Sequence, residues 1–165
     1  MNLLQLFLST VFLTSYYDLS LKKCHPSDEW SIHGLWGEYN AQEYPSYCRD
    51  IPFNETELNQ YPELVKQMTK VWKTCFTNSN LHFWMHEWNK HGTCSGMTQI
   101  EYFNKTLQLF EQVSVPFNKN DNKRIHAMGY RVPKTNITQY CDDAKVECLI
   151  PFDLHFHLKP LPTGQ

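Results

Sequence analysis

The chain reads as an α+β domain, a mostly antiparallel sheet with helices packed against it. Three observations predict this. Strand-like segments fall near both ends of the chain, at Tyr16 to Leu21, Trp30 to Leu35 and Lys145 to Leu158. Between them apolar residues recur at helical spacing, first Leu64, Met68, Val71 and Trp72, then Ile100, Phe103, Leu107 and Phe110. Strands and helices that segregate along the chain give layers of helix on antiparallel sheet rather than alternating βαβ units. No repeat, low-complexity run or linker divides the 165 residues, a length suited to one domain with a core of its own.

Met1 to Ser15 is apolar and lacks Asp, Glu, Lys and Arg. It is too short to span a bilayer, and Thr14-Ser15 offer small residues for cleavage, so 1–15 is expected to be a signal peptide and 16–165 the mature domain. A buried N-terminal strand is the competing reading of the same apolar run. Tyr16 to Leu21 alternates as a strand does. Trp30 to Leu35 is expected to be a second strand delivering His33 at its end. Asn40 to Asn59, with Pro45 and Pro52, reads as a polar loop. Val113 to Asn122 reads as another loop. In the last strand Leu154, Phe156 and Leu158 would share one face, and His155 and His157 the other.

Two short segments stand apart: Ser31-Ile32-His33-Gly34-Leu35-Trp36, and Phe83-Trp84-Met85-His86-Glu87-Trp88-Asn89-Lys90-His91-Gly92-Thr93-Cys94. As a helix, the second sets His86 against Lys90 and Glu87 against His91, both at i,i+4, so four polar groups share one face. Trp84 and Trp88 form another stripe, suited to packing inward. Gly92 is expected to stop the helix as a C-terminal glycine. A lone histidine is ordinarily structural or solvent-facing, and that reading holds for His25, His82, His126, His155 and His157. His33, His86 and His91 differ because they come with Glu87 and Lys90.

RNA cleavage would use such a set. The ribose 2′-hydroxyl is the nucleophile. A base must take its proton, an acid must protonate the departing 5′-oxygen, and donors must meet the phosphoryl oxygens. Imidazoles, with ordinary pKa values of about 6.5, suit both proton transfers. The formal charge of −2 argues against gripping RNA mainly by counterion release, while the 15% aromatic content favours stacking beside a local cationic site. A zinc hydrolase fits poorly, because His86 and His91 stand at i,i+5 with Lys90 between them.

The segments HGLW and FWxHEWxKHGTC resemble the two active-site segments of the ribonuclease T2 family of secreted and lysosomal endoribonucleases. Tyr16 to Leu21 resembles the family's first strand, and Tyr44-Pro45-Ser46-Tyr47-Cys48 its cysteine-bearing loop. Ile100 to Val113 is similar to the helix after the second segment. The resemblance implies the family's α+β fold, shortened at the C-terminal end. By position it makes His91 the general base and His33 the general acid, although the residues alone show only that two imidazoles are available. Lys90 and Glu87 would stabilise the pentacovalent transition state and His86 would hold phosphate. Trp36 would stack on a base with Glu38 and Tyr44 beside it, and Phe83 would wall a second base site. Packing is the competing reading for Trp36 and Tyr44, and a solvated loop charge for Glu38.

The implied reaction is transphosphorylation of single-stranded RNA to a 2′,3′-cyclic phosphate, then hydrolysis to a 3′-phosphate, with an acidic optimum. No cofactor and no metal are implied. A monomer without DNA or membrane partners is expected once mature. Two departures matter. Gly37 replaces the family's proline after HGLW, which is expected to loosen the turn positioning Glu38. The first strand runs directly into Lys22-Lys23-Cys24, without the usual glutamine and cysteine pair.

Six cysteines and a leader argue for an oxidising compartment, and spacing alone allows 15 pairings. The resemblance implies Cys24–Cys75 and Cys48–Cys94, with Cys141 and Cys148 as the remainder. Sequons at Asn54, Asn104 and Asn136 fit a secreted glycoprotein. With the resemblance, secretion or delivery to a lysosome or vacuole is expected. From a different class, a binding glycoprotein on the same scaffold would have no chemical need for the polar set.

Overall fold

A computed structural model describes residues 14–113 and 139–160. The expected leader up to residue 13, the loop expected after Val113, His126 and the Asn136 sequon lie outside the described residues. Three strands, β1 (Tyr16–Lys22), β2 (Ser31–Glu38) and β3 (Glu147–Phe152), form an antiparallel sheet in the order β2-β1-β3. Among the described residues, four helices lie in sequence between β2 and β3: α1 (Glu55–Leu58), α2 (Pro62–Val71), α3 (Asn80–Lys90) and α4 (Gln99–Val113). The α+β class is as the sequence predicts.

Local chemistry explains the helices. Pro62 occupies the first turn of α2, where its missing N–H costs nothing. Ser79 caps α3 by accepting from the His82 N–H. Before α4, Thr98 Oγ1 accepts from the Glu101 N–H while Glu101 Oε2 accepts from the Thr98 N–H, a reciprocal capping box. The apolar stripes then dock on one face of the sheet. Trp72, Trp88, Tyr102 and Phe103 are buried against Leu19, Leu21, Ile32 and Leu35. Each buried indole N–H finds a carbonyl: Trp72 donates to His33, Trp84 to Trp72 and Trp88 to Ile51.

The pairing of β2 contains the feature that matters most for the site. Ser20 faces Gly34, yet the next pair is Leu21 with Ile32, so the register slips and His33 has no partner across β1. A regular strand would put Ile32 and Leu35 on opposite faces. The extra residue lets both enter the core while His33, Trp36 and Glu38 serve the other face. The slipped backbone is held from behind: the His33 carbonyl accepts from Trp72 Nε1 at 2.8 Å, and the Leu35 carbonyl accepts from the Tyr102 hydroxyl at 3.0 Å.

Four expectations are corrected. The polar loop from Asn40 contains α1, because Asn54 Oδ1 caps the Glu57 N–H and Leu58 anchors the turn in the core. The last strand ends at Phe152. Its inward residues are Cys148, Ile150 and Phe152, while Asp153 Oδ1 captures the N–H groups of His155 and His157 and turns the chain. Leu154, Phe156 and Leu158 therefore share no strand face. His33 lies near the start of β2, not at its end. Gly37 sits within β2 opposite Tyr17, so it forms no turn. The helix α3 does end just before Gly92, as expected, though without a left-handed cap: Gly92 opens a 3-10 turn, Gly92–Cys94, and a Cβ there would strike Trp88 and crowd Tyr102.

Candidate active site

α3 and β2 build the site between them. His86, Glu87 and Lys90 lie on α3 and His91 caps its C-terminus, and all four line a cavity of about 320 Å³. β2 supplies His33, Trp36 and Glu38 to the same cavity, and the loop after it supplies Tyr44. The loop is tied across the end of α3: Cys48 is bonded to Cys94, and the Tyr47 N–H donates to the Lys90 carbonyl. This places the Lys90 ammonium 5.5 Å from the Tyr44 ring centre. The other bridges are Cys24–Cys75 and Cys141–Cys148, so all three expected pairs are present.

Trp36 organises the centre. Its ring stacks on His91 at 4.9 Å and meets His33 edge-on at 5.0 Å, so both imidazoles stand against one indole. Its Nε1 donates to Glu87 Oε2 at 3.0 Å, while Glu87 Oε1 lies 3.7 Å from His33 Nε2. Gly34 makes this approach possible, since a Cβ there would collide with the Glu87 carboxyl and the Trp36 indole nitrogen. One face of Trp36 is thus occupied by an imidazole, a packing role alongside any base contact. Phe83 lies outside the cavity, 5.8 Å from the His33 ring. A larger open groove of about 690 Å³, lined by Arg49, Phe53, Trp88 and Met97 among others, holds none of the predicted catalytic residues.

Burial governs the electrostatics. It pushes the Glu87 carboxyl up to about 7, against the Trp36 hydrogen bond and the charges of Lys90 and Lys22. It pulls His33 down to about 4, helped by Lys22, His86 and Lys90. His91 falls to about 3, through burial and then the charges of Lys90, His86 and His33. His86, more exposed, is lowered by burial and Lys90. In the free protein near neutral pH the His33 and His91 imidazoles therefore carry no charge. The His91 Nδ1 atom is buried without a hydrogen-bond partner.

Sequence reasoning missed three contributors. Lys22, at the end of β1, is buried with its ammonium bonded to the Lys73 carbonyl (2.7 Å) and Cys75 Sγ (3.1 Å), 4.5 Å from the Phe83 ring centre. Leu149 of β3 reaches the cavity, half exposed. Asp18 lies under the site on β1 and is buried. The polar side of the alternating β1 was the available signal. Glu38 is not a loop charge: it is a buried strand residue, 7% exposed.

The family model described as the Ribonuclease T2 family matches residues 4–150. The chain belongs to the ribonuclease T2 family. It is 35% identical over 115 residues to "Intracellular ribonuclease LX" of Solanum lycopersicum, covering 65% of this chain and 47% of that protein. It is 32% identical over 151 residues to "Ribonuclease T2" of Sus scrofa, covering 79% of this chain and 68% of that protein. The chain thus spans about half the length of the tomato relative and about two thirds of the pig one. In fold it is similar to RNase NT, solved in complex with 5′-AMP (TM-score 0.61, 19% identity, 92% of this chain and 94% of that one). An RNase-related protein from Calystegia sepium is similarly close (TM-score 0.62, 23% identity, 92% of each chain).

Proposed function

We propose that the chain is a metal-independent endoribonuclease that cleaves single-stranded RNA by transphosphorylation. The observation that carries this reading is the convergence of His33 and His91 on Trp36, in one cavity with Glu87 and Lys90. His91 takes the 2′-hydroxyl proton, the 2′-oxygen bonds to phosphorus, and the bond to the 5′-oxygen breaks as His33 protonates it. Lys90 and a protonated Glu87 meet the developing charge on the phosphoryl oxygens, and His86 holds phosphate. Water then opens the 2′,3′-cyclic ester to a 3′-phosphate. Trp36, Glu38 and Tyr44 contact the upstream base, and Phe83 the downstream one.

His33 must be protonated to act as the acid, yet burial leaves it neutral at pH 7. The anionic phosphodiester raises its proton affinity on binding, and lower pH helps further, so kcat/KM is expected to rise as pH falls from 7.5 toward 5. Three disulfides support an oxidising compartment. Asn54 and Asn104 are exposed and are proposed glycan sites. Digestion of a single-stranded RNA with and without EDTA, with end-group analysis, tests the reading. Chelator-indifferent cleavage to 2′,3′-cyclic ends is expected. Loss of cleavage in EDTA, or none at any pH, would sink it.

A further inference from the structure

β1 and β2 bring two carboxylates together beneath the cavity. Asp18 stands opposite Trp36, and Tyr16 opposite Glu38. Asp18 and Glu38 are therefore diagonal neighbours on one face of the sheet, with Cα atoms about 7–8 Å apart. Both are buried, 6% and 7% exposed. Among the described residues neither has a cation within salt-bridge distance. Glu38 lines the cavity and Asp18 lies behind it, paired on its other side with Pro151 of β3.

Charged and titratable groups face the pair from the sheet and from the cavity. Tyr16 shares their face, and Lys159, after β3, sits 4.4 Å from the Tyr16 ring centre and acts on Asp18. His33, Tyr44, His86, Glu87, Lys90 and His91 line the same cavity as Glu38. Two buried like charges resist ionising together. Lys159 favours the anion at Asp18, which leaves the proton on Glu38. Accordingly burial, then Asp18, raises Glu38 to about 7, while burial raises Asp18 to about 6 against Lys159.

We propose that Asp18 is a specificity-determining positioning residue: from behind Glu38 it decides whether that side chain shows the upstream base a donor-and-acceptor carboxyl or an all-acceptor carboxylate. A carboxylate matches the adjacent N1–H and N2–H donors of guanine. A neutral carboxyl matches the N1 acceptor and N6–H donor of adenine. The inference rests on the RNA reading above, and it makes base preference follow pH.

Equilibrium binding of guanosine 3′-monophosphate and adenosine 3′-monophosphate between pH 5 and 8 tests it, because phosphate ionisation cancels in the ratio. The guanosine-to-adenosine affinity ratio is expected to rise on the order of tenfold as Glu38 ionises. In Asp18→Asn the rise comes at lower pH; Asp18→Ser serves as a second variant should the first misfold by circular dichroism. In Glu38→Gln the ratio stays at its acid value throughout. A flat ratio in the unmodified protein, or a midpoint unmoved in both Asp18 variants, overturns the proposal. Parallel RNA digestion separates the two readings: cleavage with a flat ratio refutes this inference alone, and a titrating ratio without cleavage refutes the nuclease alone.

Discussion

The two faces of β1 are buried alike and built from opposite chemistry. Tyr17, Leu19 and Leu21 enter the helical core, while Asp18, Ser20 and Lys22 are equally hidden on the other side, the side of the candidate site. Alternation in a strand ordinarily marks one face for solvent. Here the polar face is covered, so its charges stay close to the imidazoles and carboxyls of the site with little water to screen them. One face holds the fold; the other sets proton affinities. If that division is right, substitutions on the two sides should fail in different ways.

The largest effect belongs to the site face. His33→Ala and His91→Ala are each expected to lower kcat by about 10²–10⁴, the worth of a proton transfer, with small changes in melting temperature. Steady-state kinetics on a dinucleotide, beside a thermal melt, checks both. A variant that lost stability in proportion to activity would erase the contrast between the faces. On the core face the order reverses. Leu19→Ala is expected to destabilise by about 2–5 kcal/mol in urea unfolding, with kcat of the folded fraction largely retained.

This division also explains what was legible in the residues. α3 could be read because its constraints are local: an i,i+4 pattern places His86, Glu87, Lys90 and His91 together whatever lies beyond the helix. The helices bearing Leu64 and Ile100 were legible for the same reason. His33 could be named but not placed, since the slip that frees it depends on β1 across the sheet and on Trp72 and Tyr102 behind it. Asp18 and Lys22 stayed hidden because an alternating strand looks the same whether its polar face meets water or a cavity. The extent of β3 was misjudged because alternation continues past Phe152, where Asp153 turns the backbone.

Glu87 joins the two faces, and its substitution has a signed pH signature. Its folded pKa, about 7, lies above the ordinary 4.5. The folded state thus holds the proton longer than the unfolded chain, and this contribution is full below pH 4.5 and lost as pH rises through 7. Glu87→Gln removes that loss. Relative to the unmodified protein, the variant should gain about 3 kcal/mol in unfolding free energy between pH 4.5 and 8. A constant difference across that range would mean that Glu87 is not held neutral by burial.

The smallest expected effect isolates charge on the polar face of β1. Lys22→Met keeps a long apolar stem against Phe83 and removes only the ammonium. Lys22 ranks behind burial among the causes that depress His33. Without it the His33 titration, followed by imidazole NMR, should move upward by under about one pH unit. Because burial remains, His33 should still titrate below a solvent-exposed histidine. Leu21→Ala, from the opposite side of the same strand, should leave that titration in place while lowering stability. If instead both substitutions moved it equally, the proton affinity of His33 would follow from packing alone, and the polar face of β1 would have no electrostatic role.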